Sequence, residues 1–336
     1  MKTITKTSIT FVVAAVLCTT FSTLQAAEPS AGRLDAAIKS GDFAAYQASA
    51  AAWIHQKAPA KPSGTALQAL LKDDGFRTVL DQWQLITKTG ADKLGIFAKA
   101  SPGNREFLGW LMKSGPAMDL YLEANVPIGL AVREENTCTL GTEALEIWKQ
   151  ILKADPDARG GIYLKLAIAT AIAPPGSVNI GAGGAAKHAE PVDRYFYYKK
   201  AYQNKELLPS FEQLTAWEYS LIVCSGATHE DLTWARKMVN TFRPDLRDKE
   251  RVVKSTSLVW RRAAPKQFYP NGYVNFKNVL AGGGKCGPKS SWGVMVNQAF
   301  GIPAIGVGQP GHACVAYKAA YPENQPQPGH AWKVDY

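Results

Sequence analysis

Hydrophobic residues from about position 31 to 245 recur at the three-and-four spacing of amphipathic α-helices. The segment 162–173 is apolar nearly all round, which predicts a buried core helix that ends before Pro174. Helix starts are predicted at Ser210, as a capping box with Gln213, and at Thr228. The stripes that show the spacing best are Phe76-Val79-Leu80-Trp83, Leu145-Trp148-Leu152 and Leu232-Ala235-Val239.

The pattern changes after about residue 250, where short β-like runs alternate with Pro and Gly turns. These runs cover 251–261, 273–280, 302–308, 312–317 and 332–336. Between the second and third runs, one helical stripe is formed by Trp292, Met295, Val296, Ala299 and Phe300, and Gly301 ends it. The chain is therefore predicted to be α+β, with a mostly helical N-terminal region followed by a helix that packs on antiparallel strands.

The first 26 residues have the form of a secretory signal peptide. Lys2 and Lys6 precede an apolar run over 11–18, and small residues end the segment at Ala26. No later stretch has the roughly 20 uninterrupted apolar residues that a bilayer requires, so no membrane span is predicted. We expect a secreted or periplasmic protein with a signal peptide over 1–26, a helical region of unknown role over 27–204, and a second domain over 205–336.

Charge excludes one class of partner and suggests another. Loss of the signal peptide removes two lysines and no acidic residue, so the net charge falls from +10 to +8. The basic residues are scattered and do not form a stripe, so no nucleic-acid partner is predicted. A mildly basic surface is suited to anionic cell-envelope polymers, which are a second candidate partner besides a protein or peptide substrate.

Four cysteines remain in the mature chain: Cys138, Cys224, Cys286 and Cys314. In an exported protein, four cysteines predict two disulfides, and sequence alone allows three connectivities. Cys138 and Cys224 are one candidate pair. Cys286 and Cys314 are the other, because Cys314 shares a strand face with His312, a candidate partner of Cys286.

Cys286 is also a candidate nucleophile. It lies at the start of the predicted helix, with Pro288 in the first turn, where the helix dipole and unpaired amides favour a thiolate. The preceding residues form a predicted substrate-approach loop, in which glycines allow close contact with a substrate backbone and a lysine adds positive charge: Gly282, Gly283, Gly284 and Lys285.

A thiolate nucleophile requires a base, and that base requires an orienting partner. His312 opens the strand over 312–317, and Asp335 lies in the last predicted strand. We expect the two strands to present both side chains toward the start of the helix. Zinc bound by Cys286, His312, Cys314 and His330 is an alternative, but its ligand spacing is poor, and we predict neither a metal nor a cofactor.

Three stretches together resemble the transglutaminase-like superfamily of papain-type cysteine enzymes: "GKCGPKSSWGVMVNQAFGIPAIGV", "GHACVAY" and "AWKVDY". The pattern is a cysteine at a helix start, a Gly-Ile-Pro-Ala helix exit, a histidine on the next strand and an aspartate after a tryptophan. The segments "LPSFEQLTAWEYSLIV" and "DLTWARKMVN" are similar to helices that precede this core in bacterial relatives. The resemblance covers about residues 205–336.

The chain departs from the family pattern in two places. Cys314 stands where the family shows tryptophan, whereas "GHAW" occurs at His330, which is therefore the rival base. The family core continues beyond the aspartate, but this chain stops at Tyr336. Either a strand is missing from the core or Asp335 is not the orienting acid.

The resemblance implies acyl transfer at an amide bond, as in a peptidase, an amidase or a transamidating enzyme. In that mechanism Cys286 attacks the carbonyl, His312 transfers the proton, Asp335 orients the imidazole, and the Cys286 backbone N–H helps to stabilise the oxyanion. The alternative is a non-catalytic module that binds the cell envelope or a protein through a degenerate transglutaminase-like fold.

Overall fold

A computed structural model describes residues 27–58, 63–124, 141–178, 187–248, 251–259, 276–320 and 330–335. The predicted signal peptide lies outside these ranges. By their contacts, the described residues form an N-terminal unit, 27–124 with 141–149, and a C-terminal unit, 150–335. Residues 150–204, which the sequence assigned to the first domain, group with the C-terminal unit in this division.

The N-terminal unit is entirely helical in its described part. Side-chain oxygens cap several of its helices, as at Asp73, which accepts from Phe76 N at 2.9 Å. Phe76, Val79 and Leu80 are buried, as the stripe predicted. Its helices are α1 Ala31–Ser40, α2 Phe43–Lys57, α3 Gly64–Leu70, α4 Asp74–Thr89, α5 Ala91–Ala100, α6 Pro102–Leu111, α7 Gly115–Ala124 and the first part of α8 Thr142–Ala154.

A pair of carboxyl groups, one buried and one half-buried, lies where α4 packs on α7. Asp81 is 6% exposed and shares a hydrogen bond with Asp119, and its other oxygen, Oδ2, has no partner among the described residues. Burial, reinforced by the charge of Asp119, raises the pKa of Asp81 to about 8, although Arg77 opposes the shift. Asp81 is therefore held in its neutral form at physiological pH.

The C-terminal unit contains the end of α8, more helices and the sheet. Short 3-10 segments cover Pro156–Arg159, Pro209–Gln213 and Val252–Leu258. Its other helices are α9 Gly161–Ile172, α10 Pro191–Gln203, α11 Ala216–Val223, α12 His229–Phe242, α13 Pro244–Asp248, α14 Phe276–Gly282 and α15 Cys286–Ala299. None of the described helices of either unit is long and apolar enough to cross a membrane.

Three local predictions are wrong. The β-like run at 251–261 contains the 3-10 helix Val252–Leu258, and the described part of 273–280 lies in α14. Both runs are short, and periodicity alone does not distinguish a short apolar strand from a single helical turn. The capping box belongs to Thr215 and Glu218 of α11, because Ser210 lies within a 3-10 helix. The cap at Thr228 is confirmed by its bond from Asp231 N at 3.0 Å.

The last three predicted strands are confirmed as an antiparallel sheet in the order β3–β4–β5, and a two-residue ladder, β1 Ser177–Val178 with β2 Lys187–His188, precedes it. The strands are β3 Ala304–Gln309, β4 His312–Ala320 and β5 His330–Asp335. Pro310 and Gly311 form the first turn, and the φ of +72° at Gly311 is typical of a type II turn, which favours glycine there.

Helix α15 packs on β4. Its predicted stripe is confirmed, since all five side chains of the stripe are buried, and Trp292 Nε1 donates to Ser255 Oγ at 3.2 Å. Gly293 permits the close approach, because a Cβ there would lie 2.8 Å from Val315 Cγ2. The helix ends as predicted, with Gly301 at a φ of +78°. The fold is thus mostly helical, with a C-terminal antiparallel sheet packed against the helix that starts at Cys286.

Candidate active site

Cys286 is the first residue of α15 and is half-buried. The cap residue, Lys285, has an extended backbone and provides no side-chain hydrogen bond to the first turn. Pro288 has no N–H, so it adds no unpaired donor of its own to that turn. The amides of Cys286 and Gly287 therefore remain without an intrahelical acceptor beside the thiol.

The glycines before Cys286 have a structural role. Gly282 ends α14, and Gly283 follows it with a φ of +77° and a bond from its N–H to Val279 O at 2.9 Å. Only glycine adopts this left-handed helix exit without strain. Gly282, Gly283 and Gly284 are all buried, and Lys285 is exposed. The glycines form the turn between α14 and α15, and a role in admitting a substrate stays a prediction.

The start of α15 and the start of β4 lie at the same end of the helix–sheet layer. Gly293 lies beside Val315, and Gln298 Nε2 donates to Ala304 O at 3.3 Å near the other end of the helix. Because Ala304 pairs with Tyr317, α15 and β4 run in the same direction. Going back from Gly293 to Cys286 covers about 10 Å of helix, and going back from Val315 to His312 covers about 10 Å of strand.

Cys286 and His312 are thus at a similar level, but the described residues include no hydrogen bond between the thiol and the imidazole. His312 is half-buried and pairs with Gln309 at the turn. Val315 faces α15, and His312 is three residues away, so alternation turns the His312 side chain toward the other face of β4. Contact between the His312 imidazole and the Cys286 thiol therefore requires the His312 side chain to rotate around the end of β4.

Asp335 has a different partner from the one we expected. It pairs with Val315 and shares that residue's face, whereas His312 is on the opposite face and about 10 Å further along β4. Its carboxylate binds Lys254 Nζ and lies 3.3 Å from Thr256 Oγ1, which joins β5 to the 3-10 helix Val252–Leu258. The structure does not bring Asp335 to His312, because the register between β4 and β5 differs from the one the prediction required.

The rival base, His330, lies at the other end of the sheet. Its backbone pairs with Ala320, eight residues beyond His312 along β4. That separation corresponds to about 26 Å of strand. Of the two histidines, His312 is the one at the level of Cys286.

The other cysteine predictions have different outcomes. Cys286 and Cys314 form no disulfide with each other, and Cys314 is 1% exposed. Cys138 lies outside the described residues, so its pairing with Cys224 stays a prediction. Within the described ranges, no three histidine, cysteine or acidic side chains come close enough to hold a metal ion.

A cavity of about 630 Å³ opens between α15 and the β3–β4 hairpin. Gly287 and Ala313, the residues that follow Cys286 and His312, both line it. The α15 side of the wall consists of Gly287, Ser290, Ser291, Val294, Met295 and Gln298. Phe276, the loop 225–227 and the hairpin residues Gly306, Val307, Gly308, Ala313 and Cys314 complete it.

Sequence reasoning missed the buried residue that holds one wall of this cavity. Arg194 is fully buried, and its Nη2 donates to Ser225 O at 3.2 Å and to Ala227 O at 2.7 Å. The pattern contained a signal, because Arg194, Tyr198 and Ala201 share the spacing of one helix face and all three are buried. An arginine in such a stripe indicates a paired core residue, since a buried charge requires partners.

Gln298 is a second missed residue. It is 4% exposed, its side-chain Nε2 donates to Leu221 O at 2.8 Å, and its backbone carbonyl accepts from Tyr198 OH at 3.1 Å. These bonds connect the end of α15 to α11 and α10.

Comparison of the whole chain with known protein families, with curated proteins and with solved structures finds no match in any of the three.

Proposed function

We propose that this protein is an exported cysteine-dependent enzyme that transfers an acyl group from an amide bond, with water or an amine as acceptor. The observation that carries the proposal is the position of Cys286, at an α-helix start without a capping side chain and directly before Gly287, which lines a cavity. Such a position favours the thiolate, which is the nucleophilic form of cysteine. The transglutaminase-like core is part of the same proposal.

The chemistry requires two steps. The Cys286 sulfur attacks the carbonyl carbon, the amide C–N bond breaks, and the amine leaves with a proton supplied by His312. Water or a second amine then attacks the thioester carbonyl and gives a proton to His312, and cleavage of the C–S bond releases the acyl product and restores the thiolate. In the tetrahedral intermediates, the N–H of Cys286 donates to the oxyanion.

His312 acts as the base in this scheme without help from Asp335. His312 is the first residue of β4, and it lies about as far along the helix–sheet layer as Cys286. Contact between the imidazole and the thiol requires the His312 side chain to rotate around the end of the strand. Asp335 instead supports β5 through Lys254 and Thr256.

The test is alkylation of Cys286 by iodoacetamide, followed site by site by mass spectrometry from pH 5 to pH 9. An ordinary thiol is only about 0.3% ionised at pH 6, so an activated thiol reacts at least about tenfold faster there than the same cysteine in the urea-unfolded chain. We expect His312→Ala to abolish most of this advantage. His55→Ala, at another half-buried histidine, is the matched control and leaves it unchanged.

Two results would reject the proposal. One is equal alkylation of Cys286 in the folded and unfolded protein at pH 6. The other is rapid alkylation with no release of amine from any member of a fluorogenic peptide library, under conditions in which the Cys286→Ser variant serves as the blank.

A non-catalytic binding module is the second candidate. The observation that favours it is the arrangement of the three predicted catalytic residues, with no thiol–imidazole hydrogen bond and Asp335 paired with Lys254. This candidate predicts an unactivated thiol. It also predicts retention of the mature protein on isolated cell-envelope polymer, with the same strength for the wild-type protein and Cys286→Ser.

A further inference from the structure

The cavity beside Cys286 has an uncharged wall. Of the described residues that line it, none carries a charge at neutral pH. Its polar groups are three serine hydroxyls and the Gln298 amide, and its apolar groups include Val294, Met295 and Val307. Transfer of a charged group into such a space costs several kcal/mol when no opposite charge is present, whereas an apolar group gains from burial.

Two glycines of β3 keep the mouth of this cavity open. Gly306 and Gly308 line it and are exposed, and a Cβ on either would meet nothing within 4 Å. Neither has a positive φ, so neither the backbone conformation nor the packing of the described residues requires glycine at these positions. Glycine weakens a strand interior, and its presence there is typical of a place where another backbone approaches closely.

Hydrogen bonds from buried side chains fix the positions of the loop 225–227 and of Gln298, which line the cavity. Arg194 fixes the carbonyls of Ser225 and Ala227, and Ser225 Oγ accepts from Ala227 N at 3.3 Å. On the opposite side, Gln298 is fixed by its bond to Leu221 O. The cavity is therefore bounded by groups with defined positions, which is what selection among side chains requires.

From these observations we infer that the cavity receives an uncharged, largely apolar side chain of the substrate, while the substrate main chain passes over Gly306 and Gly308. This inference rests on the proposed function, because it assigns the cavity to the group next to the bond that Cys286 attacks. The substrate class is an extended peptide with an apolar residue beside the scissile amide. A lysine, arginine, aspartate or glutamate at that position is rejected.

The experiment uses the full mature chain and two kinds of thiol reagent. Peptidyl chloromethyl ketones that carry leucine, lysine or glutamate next to the reactive carbon probe the cavity, and iodoacetamide probes the thiol alone. Each peptidyl rate at Cys286 is divided by the iodoacetamide rate of the same variant. We expect the leucyl reagent to react at least about tenfold faster than either charged reagent.

Substitutions on β3 provide the sharper comparison. Gly306→Val and Gly308→Val place a strand-favouring side chain where nothing is in contact, so thermal stability is retained or raised. The normalised leucyl rate is expected to fall at least about tenfold, because the added methyl groups occupy the path of the main chain. Ile305→Val, on the same strand, is the matched control and leaves the rate within twofold, about the resolution of such an assay.

Ser291→Asp places a negative charge on the exposed part of the α15 wall and should reverse the preference in favour of the lysyl reagent. Asn240→Asp, at an exposed position of α12 outside the cavity, should not. Failure of all reagents, iodoacetamide included, to react with Cys286 rejects the proposed function. Rapid iodoacetamide reaction with equal peptidyl rates, or with unchanged rates in both glycine variants, overturns this inference and leaves the proposed function standing.

Discussion

The Asp81 carboxyl makes the stability of the N-terminal unit depend on pH in a direction that can be tested. Burial raises the pKa of Asp81 to about 8, well above the value of about 4 in an unfolded chain. Between these values the folded protein binds one more proton than the unfolded protein. Stability is therefore fully present below pH 4 and is lost as the pH rises toward 8.

The magnitude follows from the linkage relation. One extra bound proton gives a slope of about 1.4 kcal/mol per pH unit, so the contribution falls by about 3 kcal/mol between pH 5 and pH 7. The variant Asp81→Asn has no proton to lose and can still donate to Asp119 through its amide. We expect its free energy of unfolding to lack this slope, so that the difference between variant and wild type grows by about 3 kcal/mol over that range.

The assay is urea unfolding followed by circular dichroism at half-unit steps from pH 5 to pH 8. Asp74→Asn is the control, because Asp74 is on the same helix with its side chain 88% exposed and should keep the wild-type slope. Parallel pH profiles for the wild type and Asp81→Asn would refute the reasoning, since they would mean that Asp81 ionises alike in the folded and unfolded chains.

Three further substitutions test the C-terminal unit by urea unfolding. Gly301→Ala should lower the free energy of unfolding by about 1–3 kcal/mol, because φ is +78° and the new Cβ would lie 2.7 Å from Phe211 Cδ2. Gly109→Ala is the control and should cost nothing, because a Cβ there has open space around it. Equal stabilities of the two variants would contradict this geometry. Glu218→Gln leaves Lys318 without the carboxylate that lies 2.5 Å from it and should cost about 3–5 kcal/mol. The double variant Glu218→Gln with Lys318→Met keeps a side-chain acceptor for Thr215 N and should recover most of this loss, and no recovery would show that the pair is not desolvated. Trp292→Phe should cost about 1–3 kcal/mol by removing the indole that donates to Ser255, and the same loss in a Ser255→Ala background would show that this bond is not the cause.

The elements around the thiol could be predicted because each has a strong local signal. The stripe from Trp292 to Phe300 defines a helix face, Pro288 indicates the first turn, and Pro310 with Gly311 indicates the hairpin. These signals depend on neighbours within a few residues of each other, so one sequence is enough to read them.

The partner of Asp335 could not be predicted in the same way. Alternation assigns residues to faces within one strand, but it does not fix how two strands are aligned, and a shift by one residue exchanges the faces. Thr256 and Lys254, which bind Asp335, lie in a 3-10 helix that the sequence presented as a strand. A contact between residues about 80 positions apart is not predicted by any local sequence pattern.

The walls of the cavity come from separate parts of the chain, and one of them is on the helix that begins with Cys286. Helix α15 presents Cys286 and is fixed to β4 at Gly293, whereas β3 and the loop 225–227 contribute surfaces that Arg194 and the hairpin hold independently. Under the proposed function, the thiol and two of the cavity walls are then positioned by different contacts. A substitution at Val307 would change the lining of the cavity without altering the contact between Gly293 and Val315 that holds α15 on β4.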